Sequence, residues 1–122
     1  MRDLKPTIDP KLYKNKKEFP QEIVYEITTK EDNLPFGIAI ADIMHSTPHH
    51  HKKTVEVYTG VQGDLEVTLD DEPHIIHPGD SIRISPGVVH SAKSLGDEPA
   101  RITVISIPEW SQDDFFPEDD KK

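Results

Sequence analysis

Thr47-Pro48-His49-His50-His51-Lys52-Lys53-Thr54-Val55-Glu56 places three histidines and a carboxylate within eight residues of a 122-residue chain, then runs on through Val57-Tyr58 to Gly63. On a strand, residues two apart point to the same face. His49 and His51 therefore project together, and His50 projects the other way. Two imidazoles side by side make half of a metal site. Glu56 follows His51 by five residues, an odd offset that places it on the opposite face of one continuous strand. It joins the histidines only if the chain breaks register between them, and Lys52-Lys53 is where that break is expected. Taken alone, three adjacent histidines also fit a surface cluster on an exposed polar loop.

A second stretch answers the first. Gly79-Asp80 leads to Ser85-Pro86-Gly87-Val88-Val89-His90, and the Pro86-Gly87 turn would fix the direction from which His90 arrives on a distant strand. Donors of types N, N, O and N leave a position open on a five- or six-coordinate ion, as catalytic and ligand-binding metals require. The pattern His49-x-His51, four residues, Glu56, six residues, Gly63 resembles the first motif of the cupin family. Gly79-Asp80 leading to Pro86-Gly87-x-x-His90 resembles the second. The paired spacings are far more specific than either alone, and the resemblance covers roughly residues 34–108. It implies an all-β, cupin-type jelly-roll barrel (a double-stranded β-helix). In it His49, His51, Glu56 and His90 would bind one divalent transition metal: manganese, iron, nickel or zinc. Three positions depart from the family pattern. Asp42-Ile43-Met44 stands where a glycine usually precedes the first motif, Ser85 replaces the first proline of the second, and Ser94 replaces a frequent asparagine. These positions shape backbone and do not supply ligands.

The composition agrees with such a site. There are no cysteines, which excludes disulfides, thiolate nucleophiles and cysteine-ligated metals. A metal here must be held by imidazole and oxygen. The formal net charge of −9 repels phosphate backbones, so nucleic acid is not an expected partner. No apolar run reaches the length of a membrane span. Met1-Arg2-Asp3-Leu4-Lys5-Pro6 lacks the apolar segment of a secretory signal, so a cytoplasmic protein is expected. The length fits one domain over residues 1–122.

Along that domain, residues 1–20 contain Pro6, Pro10 and Pro20, which prevent one continuous helix. They read as an extended arm that packs on the barrel or joins a partner's edge strand, or as a partly disordered leader. Short β-like runs follow at 22–28, 36–43, 54–59, 64–70, 74–77, 81–85, 88–91 and 101–107, about eight strands punctuated by Gly and Pro. Residues 36–43 are apolar at nearly every position, as in a strand covered on both faces. The runs 54–59 and 64–70 are expected to form a hairpin across Gly60–Gly63. In the tail, 109–122, Trp110, Phe115 and Phe116 are expected to anchor to the barrel. The closing Glu118-Asp119-Asp120-Lys121-Lys122 is expected to be mobile.

Tyr58 shares the parity of Glu56. It is either a proton donor near the metal or a packed core aromatic. Arg83 shares a face with Ser81 and Ser85. If that face lines the pocket, Arg83 would clamp a carboxylate; otherwise the face is wet. His50 reads as a surface histidine, and His74 and His77 as a solvated strand face. His45, near the site in sequence, is assigned no role.

Three functions fit this pattern. The first is a metal-dependent enzyme acting on a small polar molecule, a sugar derivative or carboxylic acid, by dioxygenase, isomerase or lyase chemistry. Its candidate ligands are His49, His51, Glu56 and His90, with Tyr58 and Arg83 as candidate catalytic groups. The second is a non-catalytic, small-ligand-binding or sensory module. The third is a homodimer in which the metal only stabilises the barrel. A homodimer is expected in any case, through the N-terminal arm or the strand at 22–28.

Overall fold

The structure is a computed structural model and describes residues 4–118. Eleven strands form two antiparallel sheets that face each other as a jelly-roll barrel. The first sheet has the order β1 (Asn15–Phe19), β2 (Glu22–Glu26), β3 (Gly37–Ile43), β10 (Ala100–Ile107), β5 (Val55–Gln62) and β8 (Ser81–Ile84). The second has the order β11 (Phe116–Pro117), β4 (His45–His50), β9 (His90–Ser94), β6 (Leu65–Leu69) and β7 (Glu72–Ile76). The helical structure among the described residues is three single 3-10 turns. No helix among the described residues is long and apolar enough to cross a membrane.

The strands follow from alternation. On β6, Leu65 and Val67 are fully buried while Glu66 and Thr68 are not. The core between the sheets contains Ile43, Tyr58, Leu65, Val67, Ile76, Ile84, Ala92 and Ile102. Moving along the inward face of three neighbouring strands, the side chains shrink or turn polar. β3 runs from Ile43 to Ala41 to Ala39, β10 from Ile102 to Val104 to Ser106, and β5 from Tyr58 to Glu56. Large apolar groups therefore fill one end of the barrel, and small and polar ones leave room at the other.

The expected hairpin between the runs at 54–59 and 64–70 does not form. β5 pairs with β10 and β8, whereas β6 pairs with β7 and β9. The link between them crosses from one sheet to the other. Gly60, within β5, lets the turn at His77–Asp80 pack close, because a Cβ there would lie 2.5 Å from the His77 carbonyl oxygen. The true hairpin is β6–β7, closed by Asp70 and Asp71 with φ of 48° and 73°. Two consecutive positive φ values define the primed turn that matches strand twist. Asp tolerates this conformation less well than Gly. Asp71→Gly is therefore expected to stabilise the fold by about 0.5 kcal/mol, measured by urea denaturation; a loss of stability would show that the Asp71 side chain contributes a contact.

The N-terminal arm packs on the barrel. The Thr7 amide donates to the Tyr25 hydroxyl at 3.0 Å, and the Tyr13 and Tyr25 rings lie 5.1 Å apart. Arg101 donates to both Asp42 carboxylate oxygens and to Thr7 Oγ1. The arm then enters the sheet as β1. Its pairing with β2 corrects one expectation: β2 lies between β1 and β3 and has no free edge to offer a partner. In the tail, Phe115 and Phe116 pack against His49 and His50, with ring centroids 4.9 and 5.2 Å apart. Of the closing charged residues, Glu118 is tied down by its amide, which donates to the Pro48 carbonyl. The others lie outside the described residues.

Candidate metal centre

The break at Lys52-Lys53 is present as a bend between β4 and β5. It carries the chain from one sheet to the other, so His51 and Glu56 face each other across the barrel and not along one strand. A bulge in β4 between Ser46 and His49 brings His49 opposite His90 on β9. Gly87, with φ of 86°, donates its amide to the His51 carbonyl at 2.6 Å and ties the two motifs together.

Nitrogen donors of His49, His51 and His90 all lie within 4.8 Å of one another. His51 and His90 are buried, at 2% and 1% exposure. Each Nδ1 faces a backbone carbonyl: Thr47 at 2.9 Å for His49, Asp114 at 2.7 Å for His51 and Val88 at 3.1 Å for His90. A carbonyl only accepts, so each Nδ1 carries the proton and each Nε2 is left with a lone pair. The Glu56 carboxylate Oε1 lies 3.4 Å from His51 Nε2 and 3.3 Å from His90 Nε2. These three atoms are buried and have no hydrogen-bond partner. Lone pairs converging on a carboxylate oxygen repel one another unless a cation lies between them. Two donors each about 2.1 Å from one ion would lie about 3.0 Å apart at octahedral angles and about 3.4 Å apart at tetrahedral ones. The donor set and its spacing therefore fit a metal ion.

Charge in the site follows from burial and these neighbours. Burial pushes the Glu56 carboxyl up, but the positive charge that His51 and His90 carry when protonated outweighs it and holds the group to about 2. Burial, aided by His90, lowers His49 to about 4. For His51 burial acts in the same direction, but Glu56 prevails and its pKa is raised.

Two supports were not visible in the sequence. Asp114, in a 3-10 turn of the tail, is buried. Its carboxylate accepts the amides of Lys52, Lys53 and Thr54 at 2.7–3.2 Å, holding the bend between His51 and Glu56. Its carbonyl orients the His51 ring. Glu22 on β2 lines the cavity beside the site, together with Glu56, Tyr58 and His49. Its alternation with Ile23 and Tyr25 would mark it as solvent-facing. The reverse holds, because the arm covers the Ile23–Tyr25 face.

Tyr58 is a packed member of the core, and it also lines the cavity. Burial, and then Glu56, raises its pKa well above 10, so the phenol keeps its proton. Arg83 is a correction. It is exposed on the outward face of β8 and donates to Ser85 Oγ. The Ser81–Arg83 face is the wet one. His50 bonds the Glu118 carboxylate and stacks on Phe116. His77 pairs with Asp64 at the surface, and His45 lines the mouth of the cavity.

The sequence profile of the cupin domain matches residues 43–106. The chain belongs to the cupin domain family. This cupin is 25% identical over 111 residues to the uncharacterised protein MJ1618 of Methanocaldococcus jannaschii, covering 91% of this chain and 77% of that one. Its fold superposes on the nucleoside dehydratase Pac13 of Streptomyces with a TM-score of 0.77, at 10% identity and over 94% and 92% of the two chains. It superposes on a cupin-superfamily sugar phosphate isomerase of Silicibacter pomeroyi with a TM-score of 0.66, at 19% identity and over 84% and 75%. At these identities the structural likeness establishes the fold alone.

Proposed function

We propose that His49, His51, Glu56 and His90 hold one divalent transition metal, manganese, iron, nickel or zinc. We further propose that this cupin is a metal-dependent enzyme acting on a small polar molecule. The observation that carries the reading is the set of buried, unpartnered donor atoms on His51, His90 and Glu56, set beside a cavity of about 320 Å³. The metal would supply a Lewis acid for a substrate oxygen. The chain supplies the rest. Glu56 stays ionised, which keeps an anionic donor in place. Phe115 packs against His49 and walls the site. The Tyr58 phenol keeps its proton and reaches the cavity, where it can donate a hydrogen bond or a proton to a substrate oxygen. Neighbours in fold named as a dehydratase and an isomerase support a reaction of lyase or isomerase type. Incubating metal-loaded protein with a panel of sugar derivatives and carboxylic acids, followed by NMR, is expected to show turnover that Tyr58→Phe reduces. Binding without turnover across the panel would instead make it a binding module.

Protons compete with a metal for the imidazole lone pairs. His51, with its raised pKa, takes a proton before His49, which is held near 4. Metal affinity is therefore expected to begin falling at or above the ordinary histidine value of about 6.5 and to go on falling in acid. Chelator competition across the pH range reads this directly, and affinity that stays flat to about pH 4 would contradict histidine ligation. The working assembly is proposed to be a homodimer, with β1 as the pairing edge since β2 is closed on both sides. Light scattering that gives a clean monomer at micromolar concentration would remove it.

A further inference from the structure

The cavity beside the proposed metal centre is lined by neutral donors such as Tyr58, Ser46 and Ser106, but its carboxylates outnumber its Lys and Arg side chains. Its wall carries three carboxylates, Glu22, Glu26 and Glu56. Among the described residues, Lys17 is the one Lys or Arg in the wall, and it is already engaged. Its ammonium lies 3.4 Å from the Glu26 carboxylate and 3.8 Å from the centre of the Trp110 ring. Asn15 also donates to Glu26, at 2.8 Å. The two arginines among the described residues point elsewhere, Arg83 to solvent and Arg101 to Asp42 and Thr7. Glu22 differs from Glu26. Its carboxyl has no hydrogen bond and no ion pair among the described residues. Burial, and then the nearby Glu56, pushes it up to about 7. Glu22 is half-buried and lines the cavity beside Val24, Ala41 and Val104, so a ligand hydroxyl entering the cavity can take the open acceptor positions of its carboxyl.

We propose that this cavity takes an uncharged polyhydroxy ring, a free sugar or a nucleoside, that Glu22 holds one of its hydroxyls, and that carboxylated or phosphorylated counterparts are turned away. The inference deepens the enzyme reading and rests on the cavity being its substrate site. The chemistry is a matter of donors. Hydroxyls bring O–H groups that the unpartnered Glu22 can accept, whereas carboxylate and phosphate groups bring acceptors and negative charge. Away from the metal, such a group would meet Glu22 and Glu26 and, among the described residues, no unengaged Lys or Arg. The formal charge of −9 opposes its approach from a distance. Trp110 and Phe115, whose ring centroids lie 6.1 Å apart, give the apolar face of a ring a surface to pack on. The volume of about 320 Å³ lies at the small end of ligand sites.

Trp110 is the only tryptophan, so its indole N–H is a single NMR reporter on the cavity wall. The test is a titration of ¹⁵N-labelled protein, zinc-loaded and metal-free, with two pairs of probes: uridine against uridine 5′-monophosphate, and galactose against galacturonate. At least one neutral member is expected to saturate, to shift the Trp110 signal, and to bind at least about tenfold more tightly than its anionic partner. Glu22→Ala should weaken that binding about tenfold with zinc content unchanged, and Glu22→Gln, which keeps an acceptor, should weaken it less. The inference is overturned if an anionic member binds as tightly as its neutral partner. It is overturned equally if neither neutral probe binds, or if Glu22→Ala changes nothing. Metal content measured on the same samples separates the two readings: anion preference with zinc bound overturns the substrate class alone, and no uptake of zinc, manganese, iron or nickel overturns the metal-dependent enzyme.

Discussion

Asp114→Ala is expected to destabilise the protein by roughly 3 kcal/mol and to weaken metal binding about 10- to 100-fold. The carboxylate is buried and accepts three consecutive amides, those of Lys52, Lys53 and Thr54, at the bend that brings Glu56 opposite His51. Hydrogen bonds to a charged acceptor contribute roughly 1.5–3 kcal/mol each, and donors left unpaired lose more than the bond itself. Some of that loss is recovered by water, because Lys52 and Lys53 are exposed. The effect on metal is indirect, since Asp114 donates nothing to the ion and only fixes the chain that does. Burial pushes the Asp114 carboxyl up, but the three amides outweigh it and lower its pKa. A group with a depressed folded pKa stabilises the protein above its unfolded value, about 4, and loses that contribution as pH falls through the folded one. The penalty of Asp114→Ala is therefore full at neutral pH and shrinks in acid. Urea denaturation at two pH values checks both parts. A variant within about 0.5 kcal/mol of wild type would show that the bend holds itself.

The second large effect separates the histidines. His90→Ala is expected to lower metal affinity by more than about 100-fold, because losing a ligand must exceed the 10- to 100-fold cost of losing a group that only orients one. His50→Ala, one residue from two proposed ligands, should change affinity by less than about tenfold. His50 points the other way, to the Glu118 carboxylate and the Phe116 ring. Competition against a chromogenic chelator measures both. Equal effects at His50 and His90 would indicate a loose surface cluster in place of a built site.

Much of this site can be read along the chain. The two-residue parity of His49 and His51 and the register break at Lys52-Lys53 are local features, and strands make local features predictable. The Pro86-Gly87 turn likewise announces the approach of His90. Pairing between distant strands is another matter. The runs at 54–59 and 64–70 have the alternation of a hairpin, and nothing in that alternation reveals that β5 and β6 belong to opposite sheets. Asp114 stands among acidic residues in a polar tail, where a carboxylate bound for three amides looks like any solvated one. Glu22 is harder still. Its strand has two covered faces, and the more apolar one, Ile23 and Tyr25, turns away from the barrel to meet the N-terminal arm. Arg83 shows the converse, a face of undecided sign in the sequence that the pairing of β8 with β5 turns outward.

The most direct test of the metal centre is elemental analysis of protein purified without an affinity tag or added metal, beside a His51→Ala variant. Near one equivalent of manganese, iron, nickel or zinc in the wild type, lost in the variant, is the expected result. No metal in the wild type, even after incubation with each of these ions, would contradict it, and the convergence of His51, His90 and Glu56 would then need another explanation.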